Sequence, residues 1–200
     1  MSGMYESGKS SSQLIASAIR SSIAVHQKLL DLVPAIDRIS TVCLKTIKAG
    51  GTIFLFGNGG SAADSQHIAA EFIGRFSKNR KSLPAVALTV NTSNLTAIAN
   101  DYGYEQIFSR QLEGLLKRKD LVIGISTSGK SKNVLKAVEF AKSKGCFTIG
   151  LTGGDGGELE KLTDLCLVAP ADTPARIQEI HILVGHIFSE IVENEFDKEF

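Results

Sequence analysis

Five short apolar runs set the grammar of this chain from residue 52 onward: Thr52–Phe56, Ala85–Thr89, Leu121–Ile125, Phe147–Leu151 and Leu165–Val168. None alternates cleanly between apolar and polar residues, which is the mark of strands covered on both faces. Helical spacing fills most of the gaps: Ala62–Phe76, an irregular stretch from Leu95 to Lys117, Asn133–Lys144, Gly157–Leu162, and a final helix from Pro174 to about Asn194. Strands and helices in that alternation imply an α/β protein with a parallel sheet and helices on both of its faces.

The first fifty residues read differently. Leu14, Ile15, Ala18, Ile19, Ser22, Ile23, Val25, Leu29 and Leu30 recur at helical spacing as far as Leu32. Pro34 fits the first turn of a second helix, which runs through Ile36, Ile39, Val42, Cys43 and Ile47 until Gly50-Gly51 stops it. The expectation is a loose polar start over the first ten residues. A helical hairpin follows within residues 1–50, packed on the core or on a neighbouring subunit, and residues 51–200 form the α/β body.

At 200 residues and 43% hydrophobic the chain supports one sizeable core. Lys plus Arg number 22 against 21 Asp plus Glu, a balance that makes nucleic acid an unlikely partner. No apolar run approaches the roughly 18 residues of a membrane span, and MSGMYESGKSSSQL lacks the basic-then-apolar order of a secretory signal. Cys43, Cys146 and Cys166 each sit in apolar sequence with no CxxC pair, as buried small hydrophobes do in a reducing compartment. The expected location is therefore cytoplasmic.

Chemistry concentrates at two strand-to-helix turns. The first run enters Gly57-Asn58-Gly59-Gly60-Ser61-Ala62, a loose GxGxxA match to the dinucleotide fingerprint. The acid that should close the second strand and hold a ribose is missing: that run ends in Asn91, with no acid before Asp101. What remains is a turn that lets a ligand approach backbone at a helix start, where Ser61 either caps the helix or donates to an anion. The third run enters Ser126-Thr127-Ser128-Gly129-Lys130-Ser131. Four hydroxyls at the carboxyl end of a parallel strand, ahead of a helix, make a cradle for a phosphate ester or simply a polar cap. GxxxxGK[ST] is absent, which favours a small phosphorylated metabolite over ATP.

Among four histidines, His67 lies four residues before Glu71, on one face of the helix after the glycine turn. The last helix carries Gln178, His181 and His186. Gln178 and His186 are about 12 Å apart along a straight helix, too far to share one ion with bonds of about 2 Å. If both serve one site, neighbouring subunits supply them or the helix breaks between them. His26 has no companion signal.

The segments FGNGGSAADSQHIAAEFIGRF (56–76), LTAIANDYGYEQIFSRQ (95–111), ISTSGKSKNVLKA (125–137), LTGGDGGEL (151–159) and ARIQEIHILVGH (175–186) together resemble the sugar isomerase (SIS) domain family, and within it the phosphoheptose isomerases. The resemblance spans nearly the whole chain. It implies a three-layer αβα sandwich with a five-stranded parallel sheet, and a homotetramer with active sites at subunit interfaces. The implied reaction is conversion of sedoheptulose 7-phosphate to D-glycero-D-manno-heptose 7-phosphate by enediol acid/base chemistry. Glu71 and His186 would be the acid/base pair, and His67, Glu71, Gln178 and His186 would line one zinc per site. Ser61, Ser126, Thr127, Ser128 and Ser131 match residues that hold phosphate and sugar hydroxyls. Asn58 would add its side-chain amide, Gly59 and Gly60 their backbone, and Glu71, Asp101 and Gln178 the rest of the polar lining. A relative that binds the replication initiator DnaA shares the fold, the GNG turn and the RIQE helix but departs at catalytic positions. Keeping both Glu71 and His186 favours the enzyme over that relative, and over a sugar-phosphate-sensing module. Ala62-Ala63 stand where some isomerases place His-Cys.

Overall fold

The computed structural model describes residues 10–196, so the expectation for residues 1–9 lies outside the described residues. Strands β1 (Ile53–Gly57), β2 (Ala85–Ala87), β3 (Leu121–Ile125), β4 (Phe147–Gly153) and β5 (Leu165–Ala169) form one sheet in the order β2-β1-β3-β4-β5, with every pairing parallel. Every residue of β1 and of β3 is buried, which explains runs without a polar phase. Ile53, Leu55, Ile123, Ile125, Ile149 and Leu151 face one layer, and Phe54, Phe56 and Val122 face the other. The first layer holds α2 (Val33–Lys48), α3 (Gly60–Ile73) and α8 (Pro174–Phe196). The second holds α4 (Thr92–Tyr102), α5 (Ser109–Leu115), α6 (Lys132–Ser143) and α7 (Gly157–Leu162). This is the three-layer αβα sandwich.

The irregular stretch from Leu95 resolves physically. Asn91 caps α4 by accepting from the Asn94 amide, and Gly103, at φ +91°, ends it. A short 3-10 turn over Tyr104–Gln106 then leads to α5.

The N-terminal helical segment is present but does not fold back as a hairpin. Helix α1 (Ser11–Lys28), opened by a capping box between Ser10 and Gln13, passes through a 3-10 turn at Leu29–Leu32 into α2, with Pro34 in the first turn of α2. Both helices pack on α8 rather than on each other. Arg176 donates to the Ala18 carbonyl and Ser22 to Glu179, while Lys48 pairs with Glu195 at the far end of α8. The segment thus runs in the same direction as α8, as a bent strap. The linker Leu-Leu-Asp-Leu carries no glycine, and every residue in it keeps a negative φ, so it continues the helical path instead of reversing it.

Helix α8 is unbroken and lies parallel to α3. Gln178 meets Gly60, Gly185 meets Ile68, and the Phe72 and Phe188 rings sit 6.1 Å apart. Among the described residues no helix is long and apolar enough to cross a membrane.

Candidate active site

The strand order reverses at β1, so the crevice above the carboxyl ends of β1 and β3 is the place where such sheets bind ligands. Gly57 pairs with Ile125, which starts both expected turns at one level. In the first, α3 begins at Gly60 with Gly59 as its cap and no side-chain cap bond, so Ser61 sits buried inside the first turn rather than capping it. A Cβ on Gly60 would stand 2.7 Å from the amide carbon and oxygen of Gln178, so glycine is what lets α8 bring Gln178 to this turn.

Asn58 is already engaged. Its amide donates to Asn133 Oδ1 at 2.9 Å, and its Oδ1 accepts from Asn133 at 2.8 Å and from Tyr104 Oη at 3.0 Å. Tyr104 and Asn133 went unnoticed in the sequence. With Ser131 and Asn58 they line a cavity of about 480 Å³ beside the crevice. The glycine that frees Tyr104 from α4, and the place of Asn133 two residues after the serine turn, were the available signals. Asp101 lies exposed on α4 with its carboxylate bonded to Asn100.

In the second turn Ser126 is buried and donates to Ser131 at 3.0 Å, while Ser128 accepts from the Lys130 amide. Thr127 is half-buried and Ser128 exposed. Lys130 pairs with Asp155 of the next turn at 3.1 Å, and its hydrogen bond and charge hold Asp155 below the ordinary carboxylate range.

A third group stands further along α3. His67 Nε2 is 3.0 Å from Glu71 Oε1 and 3.0 Å from His186 Nε2. The ligand atoms of all three residues lie within 4.8 Å of one another, and the Phe76 ring packs 5.7 Å from the His186 ring. Parallel packing of α3 on α8 brings Glu71 and His186 together within a single chain. The same packing leaves Gln178 about 12 Å back along the unbroken α8, beside the glycine turn. His181, on the same helix, stands apart from this group. It is fully buried, bonded through Nε2 to the Thr152 carbonyl at 3.0 Å, and burial pushes its pKa down to about 4 against that bond. One turn before His67, the buried Asp64 Oδ2 has no hydrogen-bond partner among the described residues. Burial raises the Asp64 pKa to about 6, opposed by the charge of His67.

Two imidazole nitrogens and a carboxylate oxygen form a donor set suited to zinc. Zinc–nitrogen and zinc–oxygen bonds of about 2 Å place tetrahedral ligand atoms about 3.3 Å apart, close to the two 3.0 Å separations here. An ion held by these three residues alone would keep one position open, as catalytic zinc sites do. The three cysteines stand outside this cluster as free thiols, Cys43 and Cys146 buried and Cys166 partly so.

The family model described as SIS domain matches residues 13–153. The phosphoheptose isomerase of Nitratiruptor sp. is 56% identical over 157 residues, 78% of this chain and 84% of that protein. The chain belongs to the phosphoheptose isomerase family of SIS-domain proteins. The phosphoheptose isomerase of Helicobacter hepaticus is 50% identical across 91% of this chain and 93% of its own length. The solved phosphoheptose isomerase of Neisseria gonorrhoeae superposes with a TM-score of 0.88 at 40% identity, covering 92% of this chain and all of that one.

Proposed function

We propose that this protein interconverts sedoheptulose 7-phosphate and D-glycero-D-manno-heptose 7-phosphate in a heptose biosynthetic route. The observation that carries the reading is the convergence of Glu71 and His186 on His67 at hydrogen-bond distance, in a chain whose relatives bear the phosphoheptose isomerase name. The reaction moves a carbonyl between C1 and C2 of the open sugar through an enediol. Glu71 takes the proton from one carbon and returns it to the other. His186 moves the proton between the two oxygens and assists ring opening. Carboxylate and imidazole suit these tasks because both titrate near neutral pH when tuned. Ser126, Thr127, Ser128 and Ser131, with Ser61 and the glycine turn, anchor the phosphate and hydroxyls, so that binding energy places C1 and C2.

His67, Glu71 and His186 would hold one zinc ion per site, which when bound polarises the substrate oxygens and steadies the enediolate. Gln178 lies beside the glycine turn of its own chain, about 12 Å along α8 from His186, so a glutamine ligand for the same ion would come from a neighbouring protomer. Helix α1 buries none of its residues and exposes Ile15, Ile19 and Ile23 at i, i+4 and i+8. Such a stripe supports assembly into a homotetramer with sites at subunit interfaces. Free thiols in all three cysteines fit a cytoplasmic protein.

The test is incubation with sedoheptulose 7-phosphate and chromatographic separation of the equal-mass products, with and without a chelator. Conversion is expected, and it should fall on chelation. No conversion under either condition would leave only the non-catalytic readings.

A further inference from the structure

A buried ion pair joins the loop between α3 and β2 to α8, and the chemistry above has no use for it. The side chains of Arg80 and Glu193 are each 1% exposed, and Arg80 Nε lies 3.1 Å from Glu193 Oε1. The N–H points off the line to that oxygen, so the contact is electrostatic rather than an aligned hydrogen bond. Burying two charges is unfavourable unless other bonds satisfy them, and here Arg80 donates three hydrogen bonds through Nη1 and Nη2 while Glu193 accepts four.

Arg80 caps the end of α3. The last carbonyls of a helix have no partner within it. Arg80 donates to the Glu71 carbonyl at 2.6 Å and to the Phe72 carbonyl at 2.9 Å, and a further bond goes to its neighbour Lys81. The residue whose backbone it grips most closely is the one that carries the carboxylate of the cluster. Glu193 does the corresponding work on the other side. It accepts from the amides of Phe76, Ser77 and Lys78 at 2.7 to 2.9 Å and from Ser77 Oγ at 3.0 Å. Burial opposes its ionisation, but those donors outweigh it and hold the Glu193 carboxyl below its ordinary range.

The pair therefore ties together the two helices that bear the cluster. Glu193 stands seven residues after His186, two turns along the same side of α8. The segment it fastens begins at Phe76, whose ring packs against His186. We propose that Arg80 and Glu193 are positioning residues for Glu71 and His186: one locks the helix turn behind the carboxylate, the other locks the ring wall behind the imidazole, and their ion pair sets the spacing of the two helices. The proposal rests on the isomerase reading for what the positioning achieves, not for the positioning itself.

Arg80→Lys keeps a cation but loses the planar fork that reaches two carbonyls. Glu193→Gln keeps the shape and loses the charge. Ser77→Ala, at an exposed residue, removes a single bond from Glu193 and is the mild variant. Each is made in the full chain and checked for folding by circular dichroism. Then kcat and KM on sedoheptulose 7-phosphate and the imidazole 15N resonances of His67 and His186 are measured. In folded Arg80→Lys and Glu193→Gln, kcat should fall at least about tenfold, since small misplacements of reacting groups cost that much, with KM within about twofold and the resonances shifted. Ser77→Ala should show the same split at smaller size, and it decides the matter if the other two do not fold. Unmoved resonances in a folded variant, or a kcat that falls only with the folded fraction, overturn the proposal. An inactive parent chain would sink the isomerase reading instead, and the resonances alone would then decide the positioning.

Discussion

Replacing Glu71 by Gln separates catalysis from architecture, because the two effects differ in size by an order of magnitude. The Glu71 side chain is 19% exposed and its partner His67 is 51% exposed, with the pair four residues apart on one helix. Pairs of that kind contribute about 0.5 kcal/mol or less. In a domain of this length such a loss lowers the melting temperature by about 1–2 °C. Removing a positioned general base costs about 10²- to 10⁴-fold in turnover, equivalent to roughly 3–5 kcal/mol of barrier. Glutamine is isosteric, so the substrate still finds its phosphate turn and its sugar hydroxyls. The expected result is a kcat reduced at least a hundredfold, a KM nearly unchanged, and a melting curve almost superimposed on that of the parent. Initial rates from chromatography of the two heptose phosphates, beside thermal melts by circular dichroism, measure all three. A raised KM with intact kcat would mean that Glu71 only binds, and a melting temperature lowered by ten degrees would mean that it only holds the helices together. Either result refutes the acid/base assignment.

His181 gives a pH prediction. Its folded pKa, pushed down to about 4 by burial, lies below the unfolded value near 6.5. The unfolded chain therefore takes up a proton first as pH falls, so stability is full above about pH 6.5 and declines toward pH 4, by up to about 3 kcal/mol from this group. His181→Phe should flatten that limb of the denaturation midpoint against pH, and an unchanged slope would refute it. Gly60→Ala should cost little stability, because the atoms its methyl meets are the mobile end of Gln178, but it drives that amide away from the turn. KM for the sugar phosphate should rise severalfold, and unchanged kinetics would remove Gln178 from the site.

The sheet was legible because its signals are local. Runs apolar at every position occur only where both faces are covered, and Phe54 and Leu55 indeed serve opposite layers. The first and third turns could be placed because Gly and Ser follow strands directly. The hairpin was misjudged for an equally local reason. Two helical patterns separated by a proline suggest a reversal, but helices that reverse commonly end on a glycine at φ > 0, and Leu29-Leu30-Asp31-Leu32 has no glycine and keeps negative φ throughout. The absence of a glycine there was itself a signal against the reversal. His181 was likewise separable from His186, since five residues of helix turn the side chain by about 140°.

The meeting of Glu71 with His186 lay beyond any local pattern. It depends on α3 and α8 running parallel at close range, and the sequence marks that approach only by the Gly185-His186 pair. A Cβ at Gly185 would stand 2.5 Å from the Ile68 side chain, which is fully buried and has nowhere to move. Ile68 is the neighbour of His67, and Gly185 the neighbour of His186. The glycine is therefore what allows the two imidazoles to come within 3.0 Å. Spacing along α8 counted residues between candidate ligands and so directed attention to Gln178 and a second subunit. The decisive residue was a side chain that is not there, because helix separation, not position along the helix, determines which groups can share a proton or an ion.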